Sequence, residues 1–293
     1  MNQGINLSVK TKTLNFFRSI FKFSFFEKLL AHLNTTFLSF IIEKTIPPPY
    51  LYSKGSFRIV KRNGIAFKLD ISDTVDHFIF FNYYDEALES FFKDCQQAKV
   101  ILDIGANIGW TTLRSAKENP KARIIAFEPH RVTFERAQDN FSRNNFSNIE
   151  LLNVGLGDKN TILKIYEMKD NNSGMNRIVL EEINRPFKEV KIKRLDELIQ
   201  ELNIETVDLI KIDVEGFEPF VLKGAAAILT NSNAKIIMET DDRFLKNNGS
   251  SAQELISLLQ GYGYKKFYRA DKKTDIKLTD DLTDCHFDMI CSK

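Results

Sequence analysis

The stretch V-I-L-D-I-G-A-N-I-G at residues 100–109 decides how the rest of the chain is read. An apolar run, Val100, Ile101 and Leu102, carries an acid, Asp103, at its carboxyl end. Gly105 and Gly109 bracket a tight turn, and a helical pattern follows over residues 108–117. A buried strand, a glycine turn and a helix start form the usual seat of a nucleotide-like ligand in a doubly wound sheet. Glycine lets the backbone approach a ligand closely, and the free N–H groups of the helix start attract an anionic group. Spacing narrows the choice. A dinucleotide fingerprint reads G-x-G-x-x-G, and here Asn107 stands where the second glycine would be. That glycine lets a pyrophosphate press on the backbone, so its absence argues against NAD or FAD.

A chain of 293 residues, 43% of them hydrophobic, can bury a full core in one domain with an N-terminal extension. Lys and Arg number 41 against 39 acids, a formal net charge of +2, which predicts no global nucleic-acid footprint. Cys95, Cys285 and Cys291 show neither metal-ligand nor redox spacing, and an odd count fits a reducing, cytoplasmic setting.

Residues 1–50 are rich in Phe and Lys. Leu14, Phe17, Phe21 and Phe25 recur at helical spacing, with Arg18 and Lys22 on another face. This reads as an amphipathic helix lying on an anionic membrane, peripheral at the inner face. It reads equally as a helical arm packed on the domain or on a second subunit. Charges are too frequent for a spanning helix, and the run at 37–42 is too short. No small-residue cleavage site follows a clean apolar stretch, which argues against a secretory signal. Pro47, Pro48 and Pro49 stop the helix.

Residues 51–98 are expected to form a cap: a hairpin over 57–71 turning at Asn63-Gly64, then a helix over 83–95. From residue 99 to 293 strands and helices alternate. Strands are predicted at 100–103, 122–127, 149–154, 207–212, 235–240, 264–269 and 287–291. Helices are predicted at 108–118, 132–144, 195–202, 219–230 and 252–260, with an excursion before residue 194.

Two further stretches carry chemistry. Glu128 ends the second strand in A-F-E-P-H, where an acid can accept hydrogen bonds from both hydroxyls of a ribose. Near it, His130 is a candidate acceptor-binding residue, although a lone histidine more often packs or faces solvent. The stretch D-L-I-K-I-D-V-E-G-F-E at residues 208–218 delivers Asp213 and Glu215 to the carboxyl edge, beside the glycine turn. Two acids on one short turn are costly unless they bind a hydroxyl, an amine or a metal. Glu239 and the pair Asp241-Asp242 end the next strand and could complete an acidic pocket. Asn176 and Arg177, in a polar loop of the excursion, are candidates for contacting acceptor hydroxyls or acids.

Together these stretches resemble the FkbM-type methyltransferases. The match covers residues 55–293 and rests on V-I-L-D-I-G-A-N-I-G, A-F-E-P-H, N-V-G-L-G-D, K-R-L-D-E-L and D-L-I-K-I-D-V-E-G-F-E, in that order. It is specific because I-G-A-N-x-G and D-V-E-G-x-E occur together. The resemblance implies a class I, Rossmann-like α/β fold. Its seven-stranded sheet would be mostly parallel, with a C-terminal antiparallel hairpin and helices on both faces. It also implies S-adenosylmethionine as donor and O-methylation of a hydroxyl on a sugar, glycan or secondary metabolite. Asp103, Gly105, Asn107 and Gly109 would form the cofactor turn, and Glu128 would hold the ribose. Backbone near Val154 and Gly155 would border the adenine, while Asp213 and Glu215 would face the reaction centre. Residues 1–50 lie outside the common core of the family. Asp213, Glu215 and Glu239 are all oxygen ligands, yet nothing in their spacing demands a metal. Two other readings are weighed: an NAD-dependent oxidoreductase, which Asn107 disfavours, and a non-catalytic membrane-held scaffold, which the paired acids disfavour.

Overall fold

Alternation in F-R-I-V-K-R and I-A-F-K-L-D produces a hairpin of β1 (Phe57–Arg62) and β2 (Ile65–Asp70). Arg62 pairs with Ile65, so Asn63 and Gly64 form a two-residue turn with φ of 49° and 76°. Such left-handed backbone matches the twist of the flanking strands. The computed structural model describes residues 8–35, 39–83, 86–168, 172–277 and 279–293. Parts of the expected segments at 1–50 and 83–95, and of the loop before Asn176, lie outside the described residues. The chain divides into two units, Met1–Tyr84 with Asn171–Gly174, and Asp85–Asp170 with Met175–Lys293.

The first unit holds the hairpin and helices α1 (Val9–Arg18), α2 (Ser24–Leu33), α3 (Ser39–Ile42) and α4 (Thr74–Phe80). Helix α4, unforeseen in the sequence, starts at Asp73, whose carboxylate accepts the N–H groups of Val75 and Asp76. The single helical stripe expected from Leu14 to Phe25 is broken. Between α1 and α2 the chain passes through a 3-10 turn at Ser19–Lys22 and extended backbone at Phe23. Among the described residues no helix is long and apolar enough to cross a membrane.

The second unit is built on β3 (Val100–Ile104), β4 (Arg123–Phe127), β5 (Ile149–Leu152), β10 (Leu209–Ile212), β11 (Lys235–Asp241), β12 (Lys266–Arg269), β13 (Thr274–Asp275) and β14 (His286–Ser292). Their order across the sheet is β13-β12-β14-β11-β10-β3-β4-β5. Pairing is parallel from β11 to β5, while β14 runs antiparallel between β11 and β12. The chain therefore leaves β3 on one side for β4 and β5 and returns on the other for β10. Ligands bind at such a reversal, outside the carboxyl ends of the strands. Both sheet faces are covered, because Leu102 and Ile104 join one apolar cluster and Ile101 joins another. That explains the apolar runs in β3 and β10, broken only by Asp103 and Lys211.

Helices α5 (Glu86–Cys95), α6 (Trp110–Glu118), α7 (Arg131–Ser142), α8 (Leu195–Glu201) and α12 (Ala252–Gly261) stand where the sequence pattern put them. Four features differ from expectation. The helix over 219–230 is two helices, α9 (Glu218–Gly224) and α10 (Ala226–Asn231). An additional helix, α11 (Asp242–Asn247), is capped by Asp241. The excursion folds into a sheet of its own, of β6 (Gly155–Leu156), β7 (Thr161–Tyr166), β8 (Arg177–Ile178) and β9 (Phe187–Lys193), in the order β6-β9-β7-β8. The two-residue β13 adds an eighth strand at the edge of the main sheet.

Candidate functional site

The carboxyl ends of β3 and β10 are neighbours, and the N–H of Asp213 donates to the carbonyl of Ile104 at 3.0 Å. The glycine turn and the acid turn therefore lie side by side. Gly105 makes this possible. Its φ is 82°, and a Cβ there would sit 1.9 Å from the carbonyl oxygen of Asp213. The N–H groups of Gly105 and Ala106 both donate to Phe127 at 3.0 Å, which pins the turn to β4 as well. Asn107 and Gly109 follow, with φ of 50° and 86°. A Cβ on Gly109 would meet the Phe141 ring at 2.2 Å, so this glycine is also required by packing.

Lys211, in the middle of β10, ties the two turns together. It is buried, its Nζ donates to the carbonyl of Gly105 at 2.9 Å, and it lies 3.1 Å from Asp213 Oδ2 and 3.8 Å from Asp103 Oδ1. Asp103, also buried, accepts the Thr112 hydroxyl at 2.5 Å. Burial pushes Asp103 above the usual carboxylate range, opposed by Lys211 and then Thr112. Burial alone would lower Lys211, but Asp213 and Asp103 more than reverse it. Sequence reasoning passed over Lys211, and the signal was there: a lysine in the centre of the apolar D-L-I-K-I-D.

Glu128 is buried at the end of β4. Its Oε2 accepts the N–H of Asn107 at 2.9 Å, and its Oε1 that of His130 at 2.9 Å. A carboxylate oxygen has two acceptor positions, so each of these keeps one for a further donor. Burial pushes Glu128 up to about 7, against the pull of those two backbone donors. The Asn153 amide donates to the carbonyls of Glu128 and Pro129 at 2.9 and 3.0 Å, holding Val154 and Gly155 at the same edge. The ring of His130 is buried, with its Nε2 lacking a hydrogen-bond partner among the described residues. Its Nδ1 lies 3.2 Å from Thr133 Oγ1 and its Nε2 3.5 Å from Glu167 Oε1.

The acid turn is wound tightly, with left-handed backbone at Glu215 (φ 56°) and Gly216 (φ 98°). Buried Glu218 clamps it by accepting the N–H groups of Val214 and Gly216, both at 3.2 Å. Carboxylate oxygens of Asp213, Glu215 and Glu239 lie within 4.8 Å of one another. Burial, followed by the charge of Asp213, drives Glu215 and Glu239 well above the usual range. Such a trio can share protons or hold a divalent cation. The Arg177 guanidinium lies 4.0 Å above the Phe244 ring, and its buried Nε and Nη1 have no acceptor among the described residues. Asn176, half-buried, precedes it.

Two expectations about this edge change. His130 is not its sole histidine, since His286 Nε2 lies 3.9 Å from Glu239 Oε1 and its Nδ1 3.1 Å from Asp241 Oδ2. Asp241 and Asp242 are structural. Asp241 caps α11, and Asp242 accepts the N–H groups of Ala252 and Asp284 at 2.8 and 2.9 Å.

A profile of the Methyltransferase FkbM domain matches residues 103–266, more than half of the chain. The chain belongs to the FkbM methyltransferase family. Members of this family use S-adenosylmethionine, and the chain has the class I α/β fold with a mostly parallel central sheet and helices. The matched stretch includes Asp103, Lys211, Asp213, Glu215 and Glu239 and leaves out His286. The chain is similar to "Methyltransferase 1" of Beauveria bassiana, 34% identical over 142 residues, which is 42% of this chain and 57% of that protein. It is similar to the "2-O-methyltransferase NoeI" of Sinorhizobium fredii, 26% identical over 56% of this chain and 72% of the relative. It is 28% identical to the "Hexuronic acid methyltransferase AglP" of Haloferax volcanii over 50% of this chain and 57% of the relative. The FkbM chain thus spans little more than half the length of two of these three relatives.

Proposed function

We propose that this FkbM family member moves a methyl group from S-adenosylmethionine to an alcohol oxygen, the hydroxyl of a sugar, glycan or other small metabolite. One observation carries the reading. Glu128, with an acceptor position to spare on each oxygen, shares a sheet edge with three acids whose oxygens lie within 4.8 Å. Similarity to a 2-O-methyltransferase and to a hexuronic acid methyltransferase supports oxygen on a sugar as the target.

The residues present suit the donor. Two spare acceptor positions on one buried carboxylate match a pair of vicinal hydroxyls. Asn107 replaces the glycine that a diphosphate would need, which suits a nucleoside without phosphate. Glu128 would hold the ribose, Asp103, Gly105, Asn107 and Gly109 would line the turn, and Val154 and Gly155 would border the base. Bound there, S-adenosylmethionine supplies a methyl group on a positively charged sulfur that departs readily. What remains for the protein is alignment and removal of a proton. Asp213, with 41% of its side chain exposed and Lys211 against one oxygen, would accept the proton of the acceptor hydroxyl. Glu215 and Glu239 keep their protons near neutrality and would donate hydrogen bonds to the acceptor. Arg177 and Asn176 would bind its outer oxygens. His130, its Nδ1 beside the Thr133 hydroxyl, would serve through its backbone N–H, which holds Glu128.

Asp213→Asn tests the assignment. Uptake of S-adenosylmethionine should be kept while turnover falls by roughly two to four orders of magnitude, the usual weight of a positioned base. The readout is transfer of an isotope-labelled methyl group to a panel of sugars and extracted glycans. Unchanged turnover removes Asp213 from the chemistry.

A further inference from the structure

Helices in water normally turn their apolar stripe inward. In residues 9–29 the arrangement is inverted. Helix α1 buries only Asn15, whose side-chain amide donates to the Tyr50 hydroxyl at 3.2 Å. Arg18 Nε donates to the carbonyl of Lys44 at 2.9 Å, and Lys22 donates to the carbonyl of Leu51. Helix α2 buries Glu27 with Leu30 and Ala31, and Glu27 receives both arms of Arg58 at 2.8 and 2.9 Å. Polar groups thus anchor this segment to the first unit. The large apolar residues face outward: Phe16 is 72% exposed, Phe23 67% and Phe25 72%, with Leu14, Phe17, Ile20 and Leu29 also exposed. So many exposed aromatic and aliphatic side chains in one short segment mark a surface built to be covered.

Charge identifies the cover. Lys10, Lys12 and Lys28 are exposed between the aromatic residues, and the one acid of residues 8–35, Glu27, is buried against Arg58. We propose that residues 9–29 form a docking surface for an anionic lipid bilayer, with the Phe side chains entering the headgroup boundary and the lysines meeting lipid phosphates. Interleaved aromatic and basic residues with no exposed acid are the composition of an interfacial anchor. A second copy of the chain fits less well, since an isologous contact would set these lysines against their own equivalents. This surface is independent of methyl transfer.

Flotation of the full chain with vesicles tests it. The protein should rise with phosphatidylcholine–phosphatidylglycerol vesicles, rise far less with phosphatidylcholine alone, and be released by salt. The variant Phe16→Ser/Phe23→Ser/Phe25→Ser should lose at least about tenfold in vesicle affinity. Lys10→Gln/Lys12→Gln/Lys28→Gln should lose the preference for phosphatidylglycerol. Both variants alter exposed groups, so thermal melting and S-adenosylmethionine uptake should match the parent. The proposal is overturned if the parent does not float, or if the aromatic variant floats equally well. A parent dimer that the aromatic variant splits, with no vesicle binding, also overturns it and assigns the surface to a second copy. Should the aromatic variant fail to fold, the lysine variant decides, and an unaltered lipid preference there sinks the idea.

Discussion

Lys211 has three oxygen partners and little water, and each partner belongs to a different functional piece: the glycine turn, the strand acid Asp103 and the site acid Asp213. Replacing it by Met would keep the volume of the stem and leave the buried Asp103 without its cation. Breaking a buried ion pair from one side costs about 3–5 kcal/mol, so Lys211→Met should shift the urea midpoint strongly downward. A midpoint equal to that of the parent would remove Lys211 from its linking role. Residues such as Asp103, Gly105, Glu128 and Asp213 were legible in the sequence because each ends an apolar run beside a turn. Lys211 was not, because hydrophobic periodicity counts a charged residue inside a strand as a blemish. Two of its partners, Asp103 in β3 and Gly105 just after it, are more than a hundred residues away and become visible only when β3 and β10 pair.

At the scale of elements, the acid turn between β10 and α9 is held against electrostatic cost. Glu218 clamps its backbone while burial raises Glu218 itself to about 7. Glu239 shows the consequence for stability. Its unfolded form ionises in the ordinary carboxylate range, whereas the folded form keeps its proton far above that range. Stability is therefore lost as pH climbs from the ordinary range through the raised value. Glu239→Gln should raise the melting temperature by several degrees at neutral and alkaline pH and leave it unchanged in acid. Calorimetry across pH checks this, and an equal shift at every pH would contradict the linkage. The break between α9 and α10 belongs to the same scale. A Cβ on Gly224 would lie 1.9 Å from the Gly157 carbonyl, so the helix closes on the small sheet just where it ends. Gly224 in the middle of the predicted helix was the available warning.

In the whole molecule, the alternation of strands and helices after residue 99 was enough to give the class of fold, because both faces of the main sheet are covered and its strands read as apolar runs. The small sheet was missed for a physical reason: β6 and β8 have two residues each, too few to show a period. In contrast, β9, F-K-E-V-K-I-K, does alternate and could have been read as a strand. The reversal of the chain between β3 and β10 then places Glu128 and Asp213 at one edge, on strands flanking β3. Whether that edge takes up a nucleoside is the claim on which the functional account rests. Isothermal titration of S-adenosylmethionine into the purified chain measures it most directly. The account predicts saturable uptake that weakens as pH falls through about 7, where Glu128 gains a proton and loses an acceptor. It also predicts that Glu128→Ala costs on the order of a hundredfold in affinity, the worth of two charge-assisted hydrogen bonds. No heat of binding from the parent, or equal affinity in Glu128→Ala, would contradict it.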